Sequence, residues 1–265
     1  MKRSKLMVVI SVVFLLLLSA CGTSKTGGDG DKKTLRIVTD AAYAPFEYQD
    51  KGEVVGFDVD FVKAVAKEAG YEAKVEHVGW DPVFVEIEGK TADAAVSAIT
   101  ITDKRKKSYD FSVPYFLSTN KIMVPKDSPI KSAADLKDKV VAVQNGTTGM
   151  TATEKLLGAE NKNLKKFKDN NLAIMELKGG GADAVVADNT VIEEYVKNNP
   201  KENFVVIEDP VFEKEFYGVL FPKDSKLKAE FDKAIKKLME NGEYAKIYNK
   251  WFKVDPDLTE INAQQ

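Results

Sequence analysis

The chain holds one cysteine, one histidine and two tryptophans in 265 residues, and these scarcities exclude whole classes of function. One Cys and one His cannot build a Cys/His zinc site, nor a Cys-His catalytic pair that also leaves a resolving thiol. Neither sign of charge dominates. With 39 Lys+Arg against 41 Asp+Glu, a formal charge of -2, nothing suggests a polyanion-binding protein, and no nucleic-acid partner is expected. Internal repeats and low-complexity core segments are also lacking. What the chain does have is 44% hydrophobic residues, enough to bury a sizeable core, and a length that suits one large domain or two lobes.

The first segment reads as an address. Lys2, Arg3 and Lys5 precede an almost purely apolar run at 6–18, the n-region and h-region of a secretory signal, and the run is too short for a comfortable membrane span. It ends in Leu18-Ser19-Ala20-Cys21, which resembles the lipobox of bacterial lipoproteins, where the peptidase cuts before a Cys that receives diacylglycerol. That reading accounts for the only Cys; the alternative is a free buried thiol behind an ordinary signal. Residues 1–20 are therefore expected to be a signal peptide. Cys21 is expected to carry the lipid, acyl groups such as palmitate included, and to anchor the protein on the extracytoplasmic face of the cell membrane. Residues 22–33 contain no apolar side chain, so 21–33 are expected to form the lipidated Cys and a flexible tether.

Beyond the tether, strands and helices alternate. Short apolar runs at 35–39, 75–78, 94–99, 140–143, 184–187 and 218–221 predict strands. Gly56-Phe57-Asp58 opens a helix whose Val59, Val62, Val65, Ala66 and Ala69 recur at helical spacing until Gly70 stops it. Asp81-Pro82 reads as an N-cap followed by proline at the first helical position, and Asp103 as the cap of the next helical turn. Helices are also predicted at 148–157, 172–177 and 189–197, and two amphipathic ones at 226–239 and 243–252, separated by Asn241-Gly242. This is α/β throughout. His77, flanked by Glu76 and Val78 with no second His or Cys to join it, is read as structural.

Several motifs, in order, carry a resemblance that covers nearly the whole chain after the signal. They are the run from Thr39 to Tyr48 (TDAAYAPFEY), Val55-Gly56-Phe57-Asp58-Val59-Asp60, Ile99-Thr100-Ile101-Thr102-Asp103-Lys104-Arg105, Tyr109-Asp110-Phe111-Ser112 and Ala182-Asp183-Ala184. They resemble the polar amino-acid-binding receptors of bacterial ABC importers, solute-binding protein family 3. The likeness is greatest to arginine-, lysine- and histidine-binding members. The resemblance implies a two-lobed periplasmic-binding-protein-like fold of type II, its lobes joined by two hinge crossings, with 34–117 plus 220–265 as lobe 1 and 118–219 as lobe 2. It also implies a small-molecule amino acid held between the lobes, permease and ATPase subunits as partners, a monomer, and no cofactor or metal.

The chemistry of an amino acid can be set against these residues. A zwitterion in a closed cleft needs both its charges matched, because an unpaired buried charge costs several kcal/mol. By composition Arg105 is a solvated member of the Lys104–Lys107 run; by the resemblance it is the carboxylate clamp, whose planar fork can make two parallel bonds. Thr100 could add a hydroxyl and a backbone N–H, and the neighbouring Ala98 lines the same loop. Asn145-Gly146-Thr147-Thr148-Gly149 lies between a strand and a helix, either an ordinary turn or an anion site at a helix N-terminus, and the family pattern selects Thr148. Asp188 reads locally as an N-cap, while in similar proteins a carboxylate here binds the ligand's α-ammonium.

Tyr43 and Trp80 stand where similar proteins hold the ligand side chain between two rings, though core packing is the plain reading of any aromatic. Asp40 is the candidate acceptor for a distal cationic group, with Ser97 in support. Gln144 departs from glutamine-binding relatives, which tend to have a Lys there. Together these favour a basic amino acid, arginine first and lysine or histidine next, with glutamine or another polar amino acid as the alternative. Two other classes stay open. A dehydratase-like enzyme on the same fold would need a poised carboxylic acid, for which no special site stands out. A sensory ectodomain would be expected to carry a membrane span and a signalling domain.

Overall fold

The computed structural model describes residues 33–265; the signal-like segment, Cys21 and residues 22–32 of the tether lie outside the described residues. The chain begins with β1 (Thr34–Thr39), the short strands β2 (Ala42–Tyr43), β3 (Glu47–Asp50) and β4 (Glu53–Val55), helix α1 (Phe57–Glu68), β5 (Glu72–His77), α2 (Trp80–Glu88), β6 (Ala94–Ala95), α3 (Asp103–Lys106) and β7 (Tyr109–Phe111). The long β8 (Phe116–Pro125) leads to β9 (Val141–Gln144), α4 (Thr148–Leu157), β10 (Leu164–Phe167), α5 (Asn170–Lys178), β11 (Ala184–Asp188), α6 (Asn189–Asn198) and β12 (Phe204–Ile207). β13 (Lys214–Tyr217) then returns to β14 (Leu220–Pro222), α7 (Leu227–Glu240), α8 (Glu243–Phe252) and α9 (Thr259–Ala263).

These strands form two main sheets and hence two lobes. The first has the order β5-β1-β6-β14-β7, with β1 parallel to β5 and β6, and β14 antiparallel to its neighbours. The second has the order β10-β9-β11-β8-β12, with β9 parallel to β10 and β11. Helices cover the parallel strands, so β11 is buried at all five positions and reads as a continuous apolar run ending in Asp188. β8 and β13 are the two crossings. They pair antiparallel from Phe116 opposite Tyr217 to Thr119 opposite Lys214.

Local chemistry explains the elements that carry the site. α1 turns Phe57, Phe61, Val62, Val65 and Ala66 inward at helical spacing, where all are fully buried. Gly56, just before it, sits at φ +143°, and a Cβ there would lie 1.9 Å from the Phe46 carbonyl oxygen, so only glycine lets β3 and α1 approach this closely. Beneath the crossings the rings of Phe46, Phe57, Phe116, Tyr217 and Phe252 pack with centroids 4.9–6.1 Å apart. Both crossing strands are thereby rooted in the core of the first lobe.

Some local expectations change. Asp81 and Pro82 lie inside the first turn of α2, whose N-cap position is Gly79. Thr102, not Asp103, caps α3, its hydroxyl accepting from the Arg105 N–H at 3.1 Å. The strand predicted at 94–99 pairs only at Ala94–Ala95, because Ala98 takes φ +46° with its N–H held by Asp58 Oδ2 at 2.7 Å. Likewise the strand predicted at 218–221 pairs over Leu220–Pro222. Among the described residues no helix is long and apolar enough to cross a membrane.

Candidate ligand-binding site

Asp40, Tyr43, Trp80, Ser97, Ala98, Thr100, Arg105, Gln144, Thr148 and Asp188 all border one cavity between the two sheets, together with Thr147. The backbone explains the convergence. Asp40 follows β1, Ser97 and Ala98 follow β6, Gln144 ends β9 and Asp188 ends β11, so the carboxyl ends of parallel strands from both lobes face the same space.

Arg105 turns inward while Lys104, Lys106 and Lys107 remain exposed. Its Nη1 donates to the Thr100 carbonyl at 2.8 Å, and its Nη2 reaches across to the Gly146 carbonyl at 3.2 Å. The guanidinium carbon lies 5.5 Å from the Trp80 ring centroid and 5.2 Å from that of Phe84. Trp80 therefore packs against Arg105 as well as lining the cavity, which fixes the plane of the fork. Burial lowers the guanidinium pKa to about 10, and Glu215 and Asp188 pull it back up through space. Opposite, Gly146 at φ +72° passes close to Trp80: a Cβ there would lie 3.2 Å from Nε1.

Glu215 escaped the sequence reading. In Lys214-Glu215-Phe216-Tyr217 an acidic residue reads as solvated, yet its Oε2 accepts from Thr100 Oγ1 and from Thr148 Oγ1, each at 2.7 Å. Its Oε1 accepts from Asn120 Nδ2 at 2.8 Å. The Thr100 hydroxyl, expected to face a ligand carboxylate, is thus bonded to a side chain of the protein. Burial raises the Glu215 pKa, while Thr100, Thr148, Arg105 and Asn120 oppose the rise. The missed signal was alternation. Glu215 and Tyr217, two apart on one strand, share a face.

Asp188 occupies the N-cap position of α6 but makes no capping bond. Its carboxylate instead accepts from the Tyr217 hydroxyl. Burial, followed by the charge of Glu215, pushes its pKa up to about 7. Thr147 serves the turn: its Oγ1 donates to the Gln144 carbonyl at 2.8 Å and accepts from the Met150 N–H at 3.1 Å, capping α4.

At the other end, Gln144 Nε2 donates to Asp40 Oδ2 at 3.0 Å across the cleft. Burial raises the Asp40 pKa, and this bond with Gln144 opposes it. His77 Nδ1 accepts from the Ala41 N–H at 2.9 Å, so the imidazole helps fix the loop after β1. Below the floor, Ser97 Oγ accepts from the Asp40 N–H and donates to Glu47 Oε1. Nearby, Asp58 Oδ2 accepts from the Tyr115 hydroxyl and the Ala98 N–H, while Glu47 Oε2 and Asp58 Oδ1 are buried with no other hydrogen-bond donor. Two facing carboxyls need a shared proton. Burial first, then the Asp58 charge, holds Glu47 well above the usual carboxylate range, and burial lifts Asp58 to about 6.

Two lobes, two crossings and a polar cavity between the lobes define a solute-binding protein of the two-lobed type. More narrowly, the chain belongs to the bacterial extracellular solute-binding proteins, family 3, whose model matches residues 35–254. It is 41% identical over 244 residues to a probable histidine-binding protein of Neisseria gonorrhoeae, covering 89% of this chain and 91% of that one. To the arginine-binding extracellular protein ArtP of Bacillus subtilis it is 36% identical over 250 residues, covering 93% and 97%. The arginine-, lysine-, histidine-binding protein ArtJ of Geobacillus stearothermophilus, a solved structure, is 52% identical with a TM-score of 0.85, covering 87% of this chain and 100% of that one.

Proposed function

We propose that the chain is the extracytoplasmic receptor of an ABC importer that takes a basic amino acid into the interlobe cleft and passes it to the permease and ATPase subunits. Arginine fits best, then lysine and histidine. The carrying observation is the polarity of this cavity: Asp40 stands at one end, while the other holds Arg105, a guanidinium whose hydrogen bonds go to the Thr100 and Gly146 carbonyls, beside Asp188. A cationic side chain would meet Asp40 between Tyr43 and Trp80, the carboxylate would meet Arg105 and the N–H groups before α4, and the α-ammonium would meet Asp188. The histidine-binding and arginine-binding relatives support this reading.

On the same reading lobe 1 is 34–117 plus 220–265 and lobe 2 is 118–219, ligand passes through without turnover, and a monomer is held to the membrane by lipid on Cys21. Isothermal calorimetry against the common amino acids tests the ligand, with recovery of unchanged arginine as the check on turnover. Tighter binding of glutamine than of arginine would sink the basic specificity. For the anchor, Cys21→Ser is expected to release the protein from membranes with ligand binding intact; a variant that still partitions with membranes after signal removal contradicts it.

A further inference from the structure

A hydroxyl has one hydrogen to give, and the hydrogens of Thr100 and Thr148 both go to Glu215 Oε2. Thr100 belongs to the loop after β6 in the first sheet, Thr148 begins α4 beside the second, and Glu215 stands on β13, one of the crossings. One carboxylate therefore joins both walls of the cleft to the hinge. With their protons committed, the two hydroxyls can offer a ligand only lone pairs. A lone pair suits an N–H donor and repels a carboxylate oxygen. Two residues further along the same strand, Tyr217 donates to Asp188 and so orients that carboxylate in the same way.

We propose that Glu215 is a positioning residue for ligand recognition: by taking both threonine protons it turns the hydroxyls into acceptors, so that the closed cleft demands an α-ammonium and discriminates against acids that lack one. This rests on the amino-acid receptor reading above and assigns the discriminating role to a residue of the hinge strand. Arg105 is left as the carboxylate's own partner, since its guanidinium donates only to the Thr100 and Gly146 carbonyls. The three side-chain donors on Glu215, from Thr100, Thr148 and Asn120, also explain why a carboxylate is tolerated here.

The test compares arginine with 5-guanidinopentanoic acid, its analogue without the amino group, by calorimetry. Wild type is expected to prefer arginine by at least roughly a hundredfold, because a site built around acceptors is left unsatisfied by the analogue. In Glu215→Leu, which offers neither threonine hydroxyl an acceptor, arginine affinity is expected to fall roughly 10- to 100-fold and that of the analogue by less than about threefold. Equal losses for both ligands overturn the role of Glu215, since a merely structural residue moves both alike. Should that variant not fold, Thr100→Val keeps the carboxylate and is expected to show the same unequal loss; equal losses there overturn it as well. A wild type that binds both ligands equally overturns it without any variant. A wild type that binds no basic amino acid instead overturns the receptor reading itself.

Discussion

The Gln144 side chain of the second lobe donates to Asp40 of the first at 3.0 Å, closing the far end of the cavity. Asp40 is 4% exposed, so its charge is costly unless matched. An arginine or lysine side chain would supply that match, whereas a glutamine side chain needs only a neutral acceptor. Asp40→Asn is therefore expected to cost arginine about 1.5–3 kcal/mol and glutamine less than about 1 kcal/mol. Calorimetry of both proteins with both ligands checks it; equal losses count against Asp40 as the cation's partner.

Arg105→Ala should remove the carboxylate's main partner and cost roughly 3–5 kcal/mol of binding, a hundredfold or more. Arg105→Lys keeps the charge without the two-point fork and is expected to recover only part of the loss. Circular dichroism should report an unchanged fold in both. Undiminished affinity in the alanine variant would make Arg105 a bystander.

Asp188 supplies a pH dependence of binding. With its pKa at about 7 in the ligand-free protein, it is partly protonated below neutrality, and a neutral carboxyl attracts an ammonium weakly. Arginine affinity should fall as the pH drops below about 7, by up to about tenfold per unit, with proton release on binding near pH 6. Titrations in two buffers of different ionisation enthalpy measure that release. Asp188→Asn should bind more weakly and lose the pH dependence.

Glu47 and Asp58 supply a pH dependence of stability. Both carboxyls are raised in the folded state, so between the ordinary carboxylate range, about 4, and these higher values the folded chain holds more protons than the unfolded one. Their contribution is fully present at low pH and is lost as pH rises through about 6 and above. Glu47→Gln can still donate to Asp58 and accept from Ser97, so its stability should decline less, by about 1–3 kcal/mol, between pH 5 and 8. Denaturant curves across that range decide it; parallel pH profiles would show that no shared proton is lost.

Helices with clean apolar periodicity were legible in the sequence. Those at 148–157 and 243–252 match α4 and α8 residue for residue. β8 was not legible, although its inward positions alternate over Phe116–Ile122, because two of them are polar. Ser118 and Asn120 are buried to meet Asn189, Tyr217 and Glu215, so tertiary hydrogen bonding outweighs the hydrophobic signal. β2, β3 and β4 are short and broken by Pro45, Gly52 and Gly56, which hid their alternation. Residues at strand ends that border the cavity could be singled out through the family motifs; Glu215 could not, because its partners come from three distant segments.

The position of β14 between β6 and β7 governs how such a chain can be made. As the polypeptide emerges, β7 has no neighbour to pair with until residues 220–222 appear, so the first sheet stays gapped after every strand of the second has been synthesised. The second sheet, continuous from β8 to β12, can close on its own contacts well before that. The first can close only through a pairing more than a hundred residues apart, the kind of long-range closure that slows folding and leaves apolar strand edges open to aggregation. A newly made molecule would thus hold half of its binding site in order and half in waiting.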